Sequence, residues 1–198
     1  MKNSNQNYVM FFIIVTLYFM SAPLIISAGA EDKPGKVENF FAAVVRADAP
    51  DASTSIDIFI TIEHWNSPKE LIRLYDILME KGENELFQTI RMTNAGFIRF
   101  DKNLTMPISI ASSVTTEKGR LVRLLLEHPV LYVEPMSPSM SPRSRDYEFG
   151  YIEFIVNNKA EGSLISAVKV KLSKEGQFEI EALTKYQPYK LIKVKSQF

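Results

Sequence analysis

The sequence predicts a mainly β fold of the α+β kind, either an antiparallel β-sandwich or a barrel-like meander, with a helical hairpin inserted after the second strand. Three observations predict it. Ile56, Ile58, Ile60 and Ile62 fall on one face of an extended run while Asp57, Thr61 and Glu63 fall on the other, the period-two pattern of a half-buried strand. Between Ser67 and Arg91 the apolar period changes to that of a helix. After Gly96 it changes back, in short apolar runs divided by turn residues to the end of the chain.

In chain order, residues 37–47 (VENFFAAVVRA) are aromatic and branched and read as a strand, and residues 48–54 (DAPDAST) as a turn-rich connection. After the isoleucine strand, Ser67-Pro68-Lys69-Glu70 has the form of a capping box with proline at the first helical position. Leu71, Leu74, Tyr75 and Leu78 share one face of the helix it opens, and Lys81-Gly82 ends it with a glycine suited to a left-handed cap. A shorter helix follows over 83–91, with Leu86, Phe87 and Ile90 as its apolar side. Strands are then expected at 97–100, at 105–116 with Pro107 marking an edge or irregular start, and at 120–133 with Pro129 breaking or bulging the run. Residues 134–145 (EPMSPSMSPRSR) form a loop, and 146–156 (DYEFGYIEFIV) an aromatic strand. Strands at 163–172, 177–186 and 189–194 complete an antiparallel meander. No fixed repeat is present, which excludes a solenoid or propeller.

The N-terminus reads as an address. Residues 8–26 (YVMFFIIVTLYFMSAPLII) carry no charge, Lys2 precedes them, and Ala28-Gly29-Ala30 supplies small residues for a signal peptidase. Residues 1–30 are therefore expected to be a signal peptide cut before Glu31, 31–36 (EDKPGK) a linker, and 37–198 a single β-rich domain. An uncleaved segment would instead be an anchor, since about 20 apolar residues span a bilayer, and would be the chain's one route to a membrane. The protein is thus expected outside the cytoplasm, periplasmic or secreted. Cleavage leaves 22 basic against 23 acidic residues, so no bulk charge draws the domain to nucleic acid. The chain has no cysteine, which excludes disulfides, thiolate nucleophiles and sulfur-ligated metals, and a lipid-modified N-terminus with them. An exported domain without disulfides must be held by its core, and suits a bacterial route.

Candidate chemistry is sparse. HExxH, GxSxG, Walker A and GxGxxG motifs are absent. Glu63-His64 and Glu127-His128 are the only histidine–carboxylate pairs; two histidines fall short of the three or four ligands of a stable metal site, and His64 extends the isoleucine face, which reads as a core or rim position. Glu148 and Glu153 are five apart and fall on opposite faces of a strand, so they do not pair for glycoside chemistry. Lys169 with Lys171, and Lys193 with Lys195, read as a solvated sheet face that protects an edge. Phe40, Phe41, Phe59, Trp65, Phe149, Tyr151 and Phe154 read as core, with a ligand-lined barrel as the other use of the same rings. No cofactor is implied.

From residue 56 to 194 the order of features resembles an uncharacterised family of exported bacterial proteins. The matching pieces are Glu63-His64-Trp65, then Gly96-Phe97-Ile98-Arg99, then Gly119-Arg120 into a branched strand ending at Pro129-Val130, then Asp146-Tyr147 through Ile152-Glu153. Where that family has Asp-Arg before the proline, this chain has Glu127-His128. The resemblance implies export and this order of elements; it implies no substrate, because the family has no assigned activity. The candidate binding residues are Trp65, Arg99, Arg120, Glu127 and His128. The function expected is a non-catalytic binding or structural β domain of the bacterial envelope, with a small apolar ligand or an envelope protein as partner. The alternative is a hydrolase or metal-dependent enzyme with its site near Trp65, Arg99, Glu127 and His128.

Overall fold

The alternating isoleucines form a strand, and one strand before it and seven strands and two helices after it assemble around it. The computed structural model describes residues 37–46, 55–100, 104–130, 148–157, 161–172, 178–182 and 189–197. The expected signal peptide, the linker and the 134–145 loop lie outside the described residues. The elements are β1 (Glu38–Val45), β2 (Ile56–Ile62), α1 (Pro68–Lys81), α2 (Glu83–Arg91), β3 (Gly96–Phe100), β4 (Leu104–Thr116), β5 (Gly119–Leu126), β6 (Phe149–Val156), β7 (Gly162–Leu172), β8 (Phe178–Ala182) and β9 (Tyr189–Gln197).

Strands β1 to β7 pair antiparallel with their sequence neighbours. The first half of β7 also pairs with β9, from Gly162 opposite Leu191 to Leu164 opposite Tyr189, and β9 pairs with β1. The ring therefore closes as an eight-stranded antiparallel barrel of β1–β7 and β9. Of the two architectures expected, the barrel-like one is observed: the sheet joins its own edges and does not split into two sandwich layers. Strand β8 stands outside the ring, paired with the second half of β7.

Closure makes two apolar cores from one sheet. Inward-facing positions (Phe40, Ala42, Ile58, Ile60, Ile62, Ile98, Ile108, Leu124, Ile152, Phe154 and their neighbours) fill the barrel, and the Phe40 and Phe154 rings meet edge to face at 5.2 Å. The second core lies outside the wall, where Leu74 and Leu78 of α1 and Leu86 and Ile90 of α2 pack on Leu125, Phe149, Tyr151, Ile165, Val168, Val170 and Ile180. Each such buried aliphatic side chain contributes roughly 1.5–3 kcal/mol. The hairpin thus covers the outer face of β5–β8 and leaves that of β9, β1, β2 and β3 out of the second core.

The helical hairpin matches its sequence signals closely. Ser67 Oγ accepts the Glu70 amide at 3.3 Å and Glu70 Oε2 accepts the Ser67 amide at 2.7 Å, completing the capping box. Leu74 and Leu78 are buried, while Leu71 and Tyr75 are half-buried. Gly82 has φ of 83° but ψ of −178°, so it ends α1 in an extended glycine conformation and not in the left-handed helical one expected.

Two expectations are corrected, and a third holds in part. The strand expected over 120–133 stops at Leu126, so of the two effects expected at Pro129 the run is broken there and not bulged. His64 is not a core residue: β2 ends at Ile62, and His64 stands at the rim, 53% exposed. Pro107 marks the irregular start expected of it: there β4 is paired with β3, and its ladder with β5 begins only at Ile108. Its carbonyl accepts the Glu127 amide just beyond the end of β5, so its missing N–H removes one rung there, next to the register shift between Ile108 and Ile110.

Candidate functional site

The barrel has two mouths, and in each the chain leaving a strand turns inward and stops it. At the first, residues 63–66 leave β2 and cross toward β4. The Glu63 and His64 amides both donate to the Ala95 carbonyl, and Asn66 exchanges two bonds with Ala111, amide to carbonyl at 2.8 Å and Oδ1 from amide at 2.9 Å. This crossing holds Trp65 against the barrel core. At the second mouth, the chain leaving β5 turns inward at Val130, which is fully buried and donates its amide to the Ser166 carbonyl at 2.7 Å. Gly150 permits this crossing, since a Cβ there would lie 2.8 Å from Val130 Cγ2.

Beneath Trp65, Arg120 at the start of β5 forms a bidentate ion pair with Glu38 at the start of β1, Nη1 to Oε1 at 3.1 Å and Nη2 to Oε2. Strands β1 and β5 are four steps apart in either direction round the ring, so this pair spans the mouth from wall to opposite wall. The guanidinium also lies 5.2 Å from the Trp65 ring and 5.8 Å from that of Phe40. Arg120 is 34% and Glu38 23% exposed, so the pair faces solvent on one side and the apolar core on the other. Trp65 Nε1 is buried and has no hydrogen-bond partner among the described residues.

Of the five residues singled out in the sequence, the structure brings Trp65 and Arg120 together. Arg99 is on the outer wall, its guanidinium 4.9 Å above the ring of Phe59. Glu127 and His128 follow β5 toward the second mouth, and the seven positions from Arg120 to Glu127 span ~23 Å of extended chain. There Glu127 stands 3.6 Å from Arg91 Nε and 3.4 Å from His128 Nε2, and His128 is 51% exposed. The quartet Trp65, Arg99, Glu127 and His128 is therefore spread over both ends and the outside of the barrel. Among the described residues no three His, Asp or Glu side chains gather where they could hold a metal ion.

Sequence reasoning missed Glu38. Its signal was parity: two residues before Phe40 and four before Ala42, it must share their inward face. The candidate aromatics divide by the same rule. Phe40 and Phe154 are barrel core, Phe149 and Tyr151 lie under the hairpin, and Phe41 and Phe59 form an edge-to-face pair on the outer wall at 5.3 Å. Under the hairpin Tyr151 donates to Glu153 Oε2 at 2.9 Å, and Arg123 Nε donates to the same oxygen at 2.8 Å. Burial, with the Glu153 charge beside it, pushes the Tyr151 phenol well above its ordinary value, so it remains a neutral donor. A cleft of about 80 Å³ between α2 and the outer faces of β6 and β7, lined by Glu83, Phe87, Phe149 and Lys169 among others, is far below the roughly 300–1,000 Å³ of a small-molecule site.

Fold and site together define a filled, plugged antiparallel barrel with a helical hairpin packed on its outside. No family model, curated protein or solved structure matches the chain.

Proposed function

We propose that this is an exported, non-catalytic binding domain of the bacterial envelope that meets its partner through the outer wall of the barrel. The observation that carries the reading is the filled interior: both mouths are stopped by the protein's own Trp65 and Val130, and the lumen is occupied by its own isoleucine, leucine and phenylalanine side chains. A small apolar ligand, the other partner the sequence suggested, would have to displace that core, so an envelope protein is the favoured partner. The outer wall supports this, because half of it is covered by the hairpin while the half built from β9, β1, β2 and β3 presents Phe41, Phe59 and Arg99.

Export rests on the uncharged run of residues 8–26 and on Ala28-Gly29-Ala30. No described helix is long and apolar enough to cross a membrane. The test is made in the native host with a photo-crosslinking amino acid at Phe59 or, as a control, at Met79 on the exposed side of α1. The expected outcome is a specific adduct from Phe59 alone, in the envelope fraction, on a protein that begins at Glu31. An N-terminus at Met1 would sink the export-and-cleavage part. Near-stoichiometric zinc, iron or copper that is lost in His64→Ala or His128→Ala would overturn the non-catalytic reading in favour of the metal-dependent alternative.

A further inference from the structure

The geometry points to an acidic polypeptide as the partner of the outer wall, an inference that rests on the binding reading above and names its chemistry. One rung of the sheet runs Lys195, Phe41, Phe59, Arg99, Thr105 across β9, β1, β2, β3 and β4. Two cations therefore flank two half-buried rings, three strand spacings apart, ~14 Å. The rungs on either side add Phe97 and Pro107 in one direction and Asp57 in the other, with Lys190 further along β9. Among the described residues of these rungs Lys190, Lys195 and Arg99 thus stand against Asp57, with Glu63 beyond the end of β2, in a chain whose total charge is zero.

Five other cations are matched by the protein's own carboxylates. Arg91 stands by Glu127, Arg120 by Glu38, Arg123 by Glu153, Lys169 by Glu83 and Lys171 by Glu181. Arg99 instead has an aromatic ring beneath it, and neither it nor Lys195 has a carboxylate partner among the described residues. A guanidinium held over a ring spends none of its N–H donors on it, so they stay open to a carboxylate, which can bind them in bidentate fashion. An extended peptide advances ~3.3 Å per residue, so Asp or Glu side chains four positions apart reach both cations while the residues between them lie across Phe41 and Phe59. An anionic bilayer fits less well. The phenylalanines are half-buried in the pleat and cannot insert, which leaves three cations at about 1 kcal/mol each.

The test selects peptides from a random display library on the immobilised protein. Enriched sequences are expected to carry two acidic residues about four apart with apolar residues between. The best of them, made synthetically, should bind at least tenfold more weakly to Arg99→Glu and to Lys195→Glu, and equally well to Arg73→Glu on the far side of the molecule. Unchanged near-ultraviolet circular dichroism establishes that each variant is folded. Enrichment of uncharged peptides whose binding is lost in Phe59→Ala would reject the acidic partner while keeping the outer-wall reading. Enrichment indifferent to all these variants would reject both. Pelleting with phosphatidylglycerol vesicles, with no peptide enriched, would assign the face to lipid and overturn the proposal.

Discussion

Single residues decide how the barrel ends are closed. Gly150 lies on the inward face of β6, and the chain leaving β5 passes directly over it, with Val130 Cγ2 2.8 Å and the His128 carbonyl 3.1 Å from where a Cβ would be. Its φ is not in the left-handed region, so an alanine would meet a packing obstacle and no backbone strain. Overfilling a tight core costs typically 1–3 kcal/mol. Gly150→Ala should therefore lower stability to urea by about that amount, and Gly150→Ala combined with Val130→Ala should recover part of the loss. If the double variant is less stable than Gly150→Ala alone, then Val130 does not obstruct the new methyl.

At the scale of an element, α1 is launched by four residues that also anchor the segment carrying Trp65. Glu70 accepts from the Ser67 amide and hydroxyl through Oε2 and meets His64 Nε2 through Oε1 at 3.0 Å. The Ser67 amide does most to hold the Glu70 carboxyl below its ordinary value, helped by the Ser67 hydroxyl and by His64, while partial burial works the other way. Removing the cap in Ser67→Ala should cost about 1 kcal/mol, read from thermal or urea unfolding. The pH dependence follows from the sign of the shift. A carboxyl whose folded value is depressed contributes stability above its unfolded value, and that contribution is lost as pH falls through the folded one. Glu70→Gln should thus be less stable than the parent at neutral pH, with the gap closing as the solution is acidified below the ordinary carboxylate range. A gap that stays constant with pH would mean that the charge on Glu70 does not hold the cap.

Across the whole molecule, the Glu38–Arg120 pair ties opposite walls of one mouth together. Its members are 82 positions apart in sequence and partly exposed, so the pair itself is worth about 1 kcal/mol. A double-mutant cycle with Glu38→Gln and Arg120→Gln should give a coupling of about that size, falling in high salt. Additive single effects would mean that each residue acts through packing on Trp65 and Phe40 alone. The same scale explains the split of the outer wall. An amphipathic hairpin of 23 helical residues can cover only part of an eight-stranded barrel, so one half becomes a second core and the other stays outside it.

How much of this was legible follows from the range of each interaction. The capping box at Ser67, the bounds of α2 at Glu83 and Arg91, and the alternation of Ile56 to Ile62 are set by contacts within a few residues, so the sequence by itself determined them. Where β5 ends was less legible, because Glu127, His128 and Pro129 interrupt an apolar run that resumes at Val130, and only the crossing to the Ser166 carbonyl shows that the chain has left the sheet there. Of the candidate site, alternation places Arg120 inward and Arg99 outward, but nothing local says that Glu38 is the residue opposite Arg120. That depends on how many strands close the ring. Barrel against sandwich was likewise decided by the tertiary structure, since the two share the same inward and outward pattern. They differ only in whether β7 turns from β6 to meet β9, a pairing of long-range backbone groups that no side-chain periodicity records.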